Sequence, residues 1–243
     1  MPLTLKIPLV LATAAFYDRA FTPPSTSETQ DEQKRALRAS SVTVAERLIP
    51  AATLTAKVLY WTLSVAEVAS LLALRLPQYR ASSHIRHTFA LNGASQQALT
   101  SLVHPSTTNI VGSLLIIFGA LIRLRCYREM GHHFTFRLSL RQDHELVTTG
   151  PYSVVRHPSY TGGLMTTVGL ILTLAGRGSW LREVGHNTAF GKVCAGVLVV
   201  TIGFCLKAFL RGGQEDAYMR KEFKAEWEAW AKIVPYRYVP GLY

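Results

Sequence analysis

The sequence predicts an all-α integral membrane protein of about five transmembrane helices, with a connector and a C-terminal cap gathered on one face. Three observations point there. Five apolar runs can be read; mean hydropathy is +0.17 although the formal net charge is +11; and Lys and Arg collect in alternate loops. Hydrophobic residues are 49% of the 243 and charged ones only 17%. This balance suits apolar spans joined by basic loops. A nucleic-acid binder would also be basic, but here the cations flank apolar runs, and no zinc-finger, helix-turn-helix or RNA-binding signature is present. Cys126, Cys194 and Cys205 lack CxxC spacing, and two of them lie within apolar runs, so they read as buried thiols.

The runs lie at about 3–17, 51–76, 106–125, 159–176 and 189–210, against roughly 20 residues needed to cross a bilayer core. The first carries Lys6 and resembles a secretory signal, but Tyr17-Asp18-Arg19 follows it without a small-x-small cleavage site, so it is expected to be a short retained span. Residues 21–49, with Pro23-Pro24-Ser25 and then mixed charges, read as a polar connection ending in a helix around Val42–Leu48.

Loop charge predicts sidedness. Arg19, Lys34, Arg35, Arg38 and Arg47 precede span two. Arg123, Arg125, Arg128, Arg137, Arg141 and Arg156 lie between spans three and four, and Lys207, Arg211, Arg220, Lys221, Lys224, Lys232 and Arg237 follow span five. The other loops hold only Arg80 with Arg86 and Arg177 with Arg182. Five spans put every rich loop on one face, which the positive-inside rule makes cytosolic. The segment 126–158 and the tail from 206 onward then share that face, and any active site is expected to be built from both.

These two segments hold the chemistry. Phe134-Thr135-Phe136-Arg137-Leu138-Ser139-Leu140 alternates like a strand, and Thr148-Thr149-Gly150-Pro151 is a turn signal. His132, His133, His144 and His157 invite a metal, but the spacing of a zinc motif is missing and no metal is expected. In His157-Pro158, proline favours the first turn of a helix, placing His157 and Tyr160 at the N-terminal mouth of span four. The dipole and free N–H groups of such a mouth favour an anion. The same residues also suit an interfacial aromatic belt with a snorkelling Arg156. Arg211 and Glu215, four apart, share a helix face if span five continues past the bilayer. They form either a solvated ion pair or two separate contacts, Arg211 to a ligand carboxylate and Glu215 to an ammonium. Phe223, Trp227, Trp230 and Tyr236 are expected in an amphipathic cap on the interface.

Taken together, Phe134-Thr135-Phe136, the run from His144 to Tyr152, Arg156-His157-Pro158-Ser159-Tyr160, and the tail from Arg211 to Glu215 with Trp227, Val234-Pro235 and Pro240 resemble the isoprenylcysteine carboxyl methyltransferase family. The resemblance covers about 126–240; earlier, only Lys6-Ile7-Pro8 and Thr22-Pro23-Pro24 are reminiscent of fungal members. It implies an endoplasmic-reticulum membrane enzyme, its active site facing the cytosol. A methyl group would pass from S-adenosylmethionine to the carboxylate of a C-terminal prenylcysteine on a prenylated protein or peptide. By that resemblance, residues 1–125 are N-terminal spans and 126–243 the catalytic core, with connector and cap forming the cofactor pocket. The family's cofactor site maps onto His144, Glu145, Leu146, Val147, Tyr152, His157, Pro158, Ser159, Tyr160 and Glu215, and its catalytic, substrate-carboxylate arginine onto Arg211. Two departures stand out: the second acidic residue of the tail motif is Asp216, and a position that contacts cofactor in some members is Arg137. Rival readings are a phospholipid N-methyltransferase, a sterol reductase, whose architecture is much longer, and a non-catalytic adaptor.

Overall fold

A computed structural model of the chain describes residues 3–22, 44–131 and 145–242. Each apolar run forms a helix: α1 (Leu3–Ala20), α2 (Val44–Arg75), α5 (Thr107–Met130), α6 (Pro158–Ala175) and α7 (Ala189–Phe209). Two short helices, α3 (Arg80–Thr88) and α4 (Gln96–Val103), fill the loop after α2, and α8 (Gly212–Ile233) forms the tail. Among the described residues there is no strand, only an isolated bridge between Val239 and Leu242. The all-α membrane fold is therefore as expected. By length and composition Leu48–Arg75, Gln96–Met130 and Pro158–Glu183 are long and apolar enough to cross a membrane, and Ala189–Phe204 is a shorter apolar helix. The strand-like stretch from Phe134 to Leu140 lies outside the described residues. The helix expected around Val42–Leu48 is the start of α2.

Local chemistry sets the ends. Ser106 and Asn109 form a reciprocal capping box at the start of α5, and Pro158 occupies the first turn of α6, where its missing N–H costs nothing. α5 continues past its apolar run to Met130 because Arg123, Cys126 and Tyr127 turn inward and are buried. α5 and α6 then pack antiparallel as the most extensive helix pair. A Cβ added to Gly119 would lie 2.5 Å from the Gly162 carbonyl oxygen, and one on Gly169 would lie 2.5 Å from that of Gly112. Backbone meets backbone at both levels, as small residues allow between membrane helices. Gly119→Ala is expected to force the pair apart and to destabilise the chain by about 1–3 kcal/mol. Thermal unfolding checks this, with Gly196→Ala, where nothing lies within 4 Å, as the neutral control.

Residues 20–21, 123–127 and 156–160 meet at one end of the bundle; residues 6, 102 and 178–180 meet at the other. At that second end Lys6, only 2% exposed, sits 2.9 Å from Glu67 and donates to the carbonyls of Leu102 and Gly178. Glu67 accepts in turn from the Trp180 N–H at 3.0 Å. A buried pair of this kind persists only when its remaining polar atoms are also satisfied. It fastens α1 into the bundle. Tyr17, Tyr60, Leu63, Ile116, Leu170 and Trp180 belong to the main core. A second cluster, Cys126, Tyr152, Trp227, Trp230 and Val234, holds the tail against the end of α5. Trp227 and Trp230 thus face protein, whereas the sequence places them on an interface-facing cap; only Tyr236 of that set is exposed.

Candidate active site

The site begins at a sharp turn. Gly150 has φ of 59°, which a residue with a side chain adopts only with strain. Glu129, paired with Arg125 at 2.7 Å, accepts from the Thr149 hydroxyl and fills the space a Cβ on Gly150 would need. A short 3₁₀ turn, Gly150–Ser153, leads to Arg156 and His157, and His157 caps α6. The tail then crosses this mouth: the Arg156 N–H donates to the Tyr236 carbonyl and the His157 N–H to that of Arg237, both at 2.9 Å. The Thr161 hydroxyl donates to the Tyr238 carbonyl, and the Tyr238 hydroxyl donates to the Phe209 carbonyl.

Helix α7 stops at Phe209, so Arg211 does not sit on an extension of span five. It is the N-cap of α8, with its carbonyl accepting from the N–H groups of Gln214 and Glu215. Gly212, which follows, is required there: a Cβ on it would collide with the Tyr238 side chain. The elbow brings Glu215 and Asp216 under the mouth of α6. Glu215 accepts from the Tyr160 hydroxyl at 2.5 Å and lies 3.4 Å from His157 Nδ1. Asp216 lies 2.8 Å from His157 Nε2, takes both Arg156 Nε and Nη2 at 3.2–3.3 Å, and accepts from Arg237 Nε at 2.9 Å. His157, Tyr160 and Tyr238 form a ring cluster with centroids 5.8–6.1 Å apart, and Phe209 lies 5.8 Å from Tyr160.

A carboxylate oxygen lies against each ring nitrogen of His157, an arrangement that favours the imidazolium, which can donate in both directions. Burial alone would lower its pKa, but the hydrogen bonds and charges of Asp216 and Glu215 outweigh this and raise it. Burial would likewise raise Asp216, yet the contacts with His157 and Arg156 hold it at about 2. Glu215 is lowered for the same reason: His157, Tyr160 and Arg211 outweigh its burial. The consequences for stability have opposite signs. The contribution of Asp216 is complete above its ordinary value of 3.8 and is lost as pH falls through about 2. That of His157 is complete below its ordinary 6.5 and is lost as pH rises through its higher folded value. Thermal stability is therefore expected to be greatest between the ordinary values of Glu215 and His157, 4.5 and 6.5, and His157→Gln to remove the alkaline decline. Unfolding temperatures across that range check it.

The residues anticipated from sequence separate into two groups. His157, Tyr160, Glu215 and Arg211 come together, with Pro158 buried at the start of α6 and Ser159 bonded to Arg123. Leu146, Val147 and Tyr152 instead join the second hydrophobic cluster. There the Tyr152 hydroxyl donates to Met130 Sδ, and burial pushes its pKa well up. Glu145 is exposed, and His144 lies outside the described residues. The mouth of α6 is less open to an anion than the sequence implied, because the N–H groups of Arg156, His157, Tyr160 and Thr161 already have acceptors in the chain. Sequence reasoning missed Asp216 as the hub, and with it Arg237 and Tyr238. One signal for Asp216 existed: two adjacent cations, Arg156 and His157, at a membrane boundary require an anion.

Residues 107–226, just under half of the chain, match the family model for phospholipid methyltransferase. The chain is also 40% identical over 60 residues to protein-S-isoprenylcysteine O-methyltransferase B of Arabidopsis thaliana, covering 24% of this chain and 30% of that one. It is 39% identical over 67 residues to the Saccharomyces cerevisiae protein-S-isoprenylcysteine O-methyltransferase, covering 27% and 28%. With the Dictyostelium discoideum protein of the same name it shares 38% over 60 residues, covering 24% and 25%. The matched stretch thus spans under a third of those relatives' length. No solved structure matches. Over part of the chain, the resemblance to the protein-S-isoprenylcysteine O-methyltransferases is borne out.

Proposed function

We propose that this chain methylates the carboxylate of a C-terminal prenylcysteine, using S-adenosylmethionine as donor and giving a methyl ester. The observation that carries the reading is the double engagement of His157 by Glu215 and Asp216. An imidazolium so held cannot take a proton, and Glu215 and Asp216 are themselves ionised and hydrogen-bonded. A carboxylate acceptor is already ionised at neutral pH and needs no base; a lipid amine must first lose a proton. The match to a phospholipid methyltransferase model favours the amine, but the charge state of the site favours the carboxylate.

The residues fit the donor. Glu215 keeps 24% of its side chain exposed while staying ionised, which suits an ammonium from solvent. When bound, S-adenosylmethionine supplies a methyl group activated by a sulfonium. Arg211, at the elbow, holds the acceptor carboxylate in a charge-assisted bond, and the rings of Tyr160, Tyr238 and Phe209 exclude water from the reacting atoms. Positioning then does most of the work. The prenyl chain enters from the bilayer and the water-soluble cofactor from the cytosol, in an endoplasmic-reticulum membrane crossed by five spans. The family resemblance adds His144, Glu145, Leu146, Val147 and Tyr152 to the cofactor's contacts; of these, Leu146, Val147 and Tyr152 pack in the cluster with Trp227 and Trp230.

Membranes containing the chain, incubated with labelled S-adenosylmethionine and either N-acetyl-farnesylcysteine or phosphatidylethanolamine, decide between acceptors. A base-labile methyl ester on farnesylcysteine is expected. Methylated phospholipid as the only product overturns the assignment.

A further inference from the structure

Arg123 lies in α5, within a run apolar enough to cross a membrane, and is only 5% exposed. An arginine so placed is costly, and such residues are retained where they serve a site. All three of its nitrogens are used. Nε donates to the carbonyl of Ala20 at 2.7 Å, Nη2 to the Tyr127 hydroxyl at 2.9 Å, and Nη1 to the Ser159 carbonyl and hydroxyl at 3.0 and 3.3 Å. Tyr127 also donates to Ala20, closing a triangle. The guanidinium lies 4.6 Å from the centroid of Phe21, a favourable cation–π distance.

Gly162 and Gly163 make room for this side chain. A Cβ on Gly162 would lie 2.9 Å from Arg123 Cγ, and one on Gly163 would lie 3.2 Å from Nη1. The glycine pair is thus a channel for one arginine as well as a helix contact. One end of that arginine grips the last turn of α1, which lies outside the region matched by the family model. The other grips Ser159, in the first turn of α6 between His157 and Tyr160.

We propose that Arg123 is a positioning residue for the site: it ties α1 to the first turn of α6 and so fixes His157 and Tyr160 against Glu215. The expected consequence for cofactor rests on the methyltransferase reading. Loosening the tie tilts the turn that carries Tyr160, and Glu215 loses the partner that aims it. α1 is then part of the catalytic architecture, acting through its main-chain carbonyl at Ala20.

The test uses the full chain in lipid nanodiscs, with binding of S-adenosylhomocysteine measured beside turnover. Arg123→Lys keeps the charge and loses the fork; Tyr127→Phe removes one hydroxyl and preserves shape. Arg123→Lys is expected to weaken S-adenosylhomocysteine binding about tenfold, as loss of a charged hydrogen bond would. Tyr127→Phe is expected to act in the same direction to a smaller degree, and both to leave KM for farnesylcysteine unchanged. A merely structural role would lower the unfolding temperature and the active fraction while leaving the affinity of the folded molecules intact, and that result overturns the proposal. If Arg123→Lys does not fold, unchanged affinity in Tyr127→Phe overturns it alone. Failure of the acceptor assignment shows separately, as wild-type methylation of phospholipid only, and leaves these affinities to decide on Arg123.

Discussion

Replacing Asp216 with alanine is expected to abolish methyl transfer and to lower the unfolding free energy by about 3–5 kcal/mol, the cost of removing one partner from a buried ion pair. Three cations converge on this carboxylate, and none of the four side chains is more than 21% exposed. Without it, Arg156 keeps the Val234 and Pro235 carbonyls but loses its counter-charge, and His157 keeps only Glu215. His157 then draws Glu215 away from Tyr160, and the turn before α6 is no longer tied to the elbow before α8. Asp216→Asn should fall between, since it retains an acceptor and loses the charge. Thermal unfolding and turnover of the two variants check this. Wild-type values for both would mean that the three cations are satisfied by water, contrary to their burial.

Arg211→Ala and Glu215→Ala are expected to fail in different ways. Glu215 is ionised, partly open and bonded to Tyr160 and His157, so its loss should weaken S-adenosylhomocysteine binding while leaving the capture of farnesylcysteine largely in place. Arg211 stands at the N-cap of α8, and its loss should raise KM for the prenylcysteine while cofactor binding persists. Removing one member of a buried charge-assisted pair costs on the order of 2–5 kcal/mol, so turnover should drop by a factor of tens or more in each. Direct binding of S-adenosylhomocysteine beside turnover gives the test. Near-normal activity in both variants would reduce the pair to a solvated helix end and remove the mechanism.

Hydrophobic runs announced the helices, because burial in lipid or protein demands apolar residues over a full span. Their ends were less legible. α5 runs on to Met130 since Arg123, Cys126 and Tyr127 face protein, which local hydropathy does not register. The break before Arg211 was hidden because two glycines within a polar tail look like ordinary flexibility, and the need for the first shows only in the Tyr238 side chain packed against Gly212. Within the site, His157, Tyr160 and Glu215 were readable as a motif. Asp216 and Arg237 were not, as their meaning comes from pairing across 60 and 21 positions. Glu67 gave no warning of Lys6 for the same reason: a carboxylate inside an apolar run names no partner until the helices are docked.

The tail's hold on the mouth of α6 also orders events in time. A chain leaves the ribosome from its N-terminus, and its parts settle in that direction. The helix pair α5–α6, with Arg156 and His157 at its rim, is complete at Ala175, about forty positions before Asp216 arrives, and the carbonyls of Tyr236 and Arg237 come later still. Until then the rim carries two cations with neither counter-charge nor backbone acceptor. A nascent chain therefore holds the helix pair before it holds the site, and competence to react waits for Asp216 and the carbonyls of Tyr236 and Arg237.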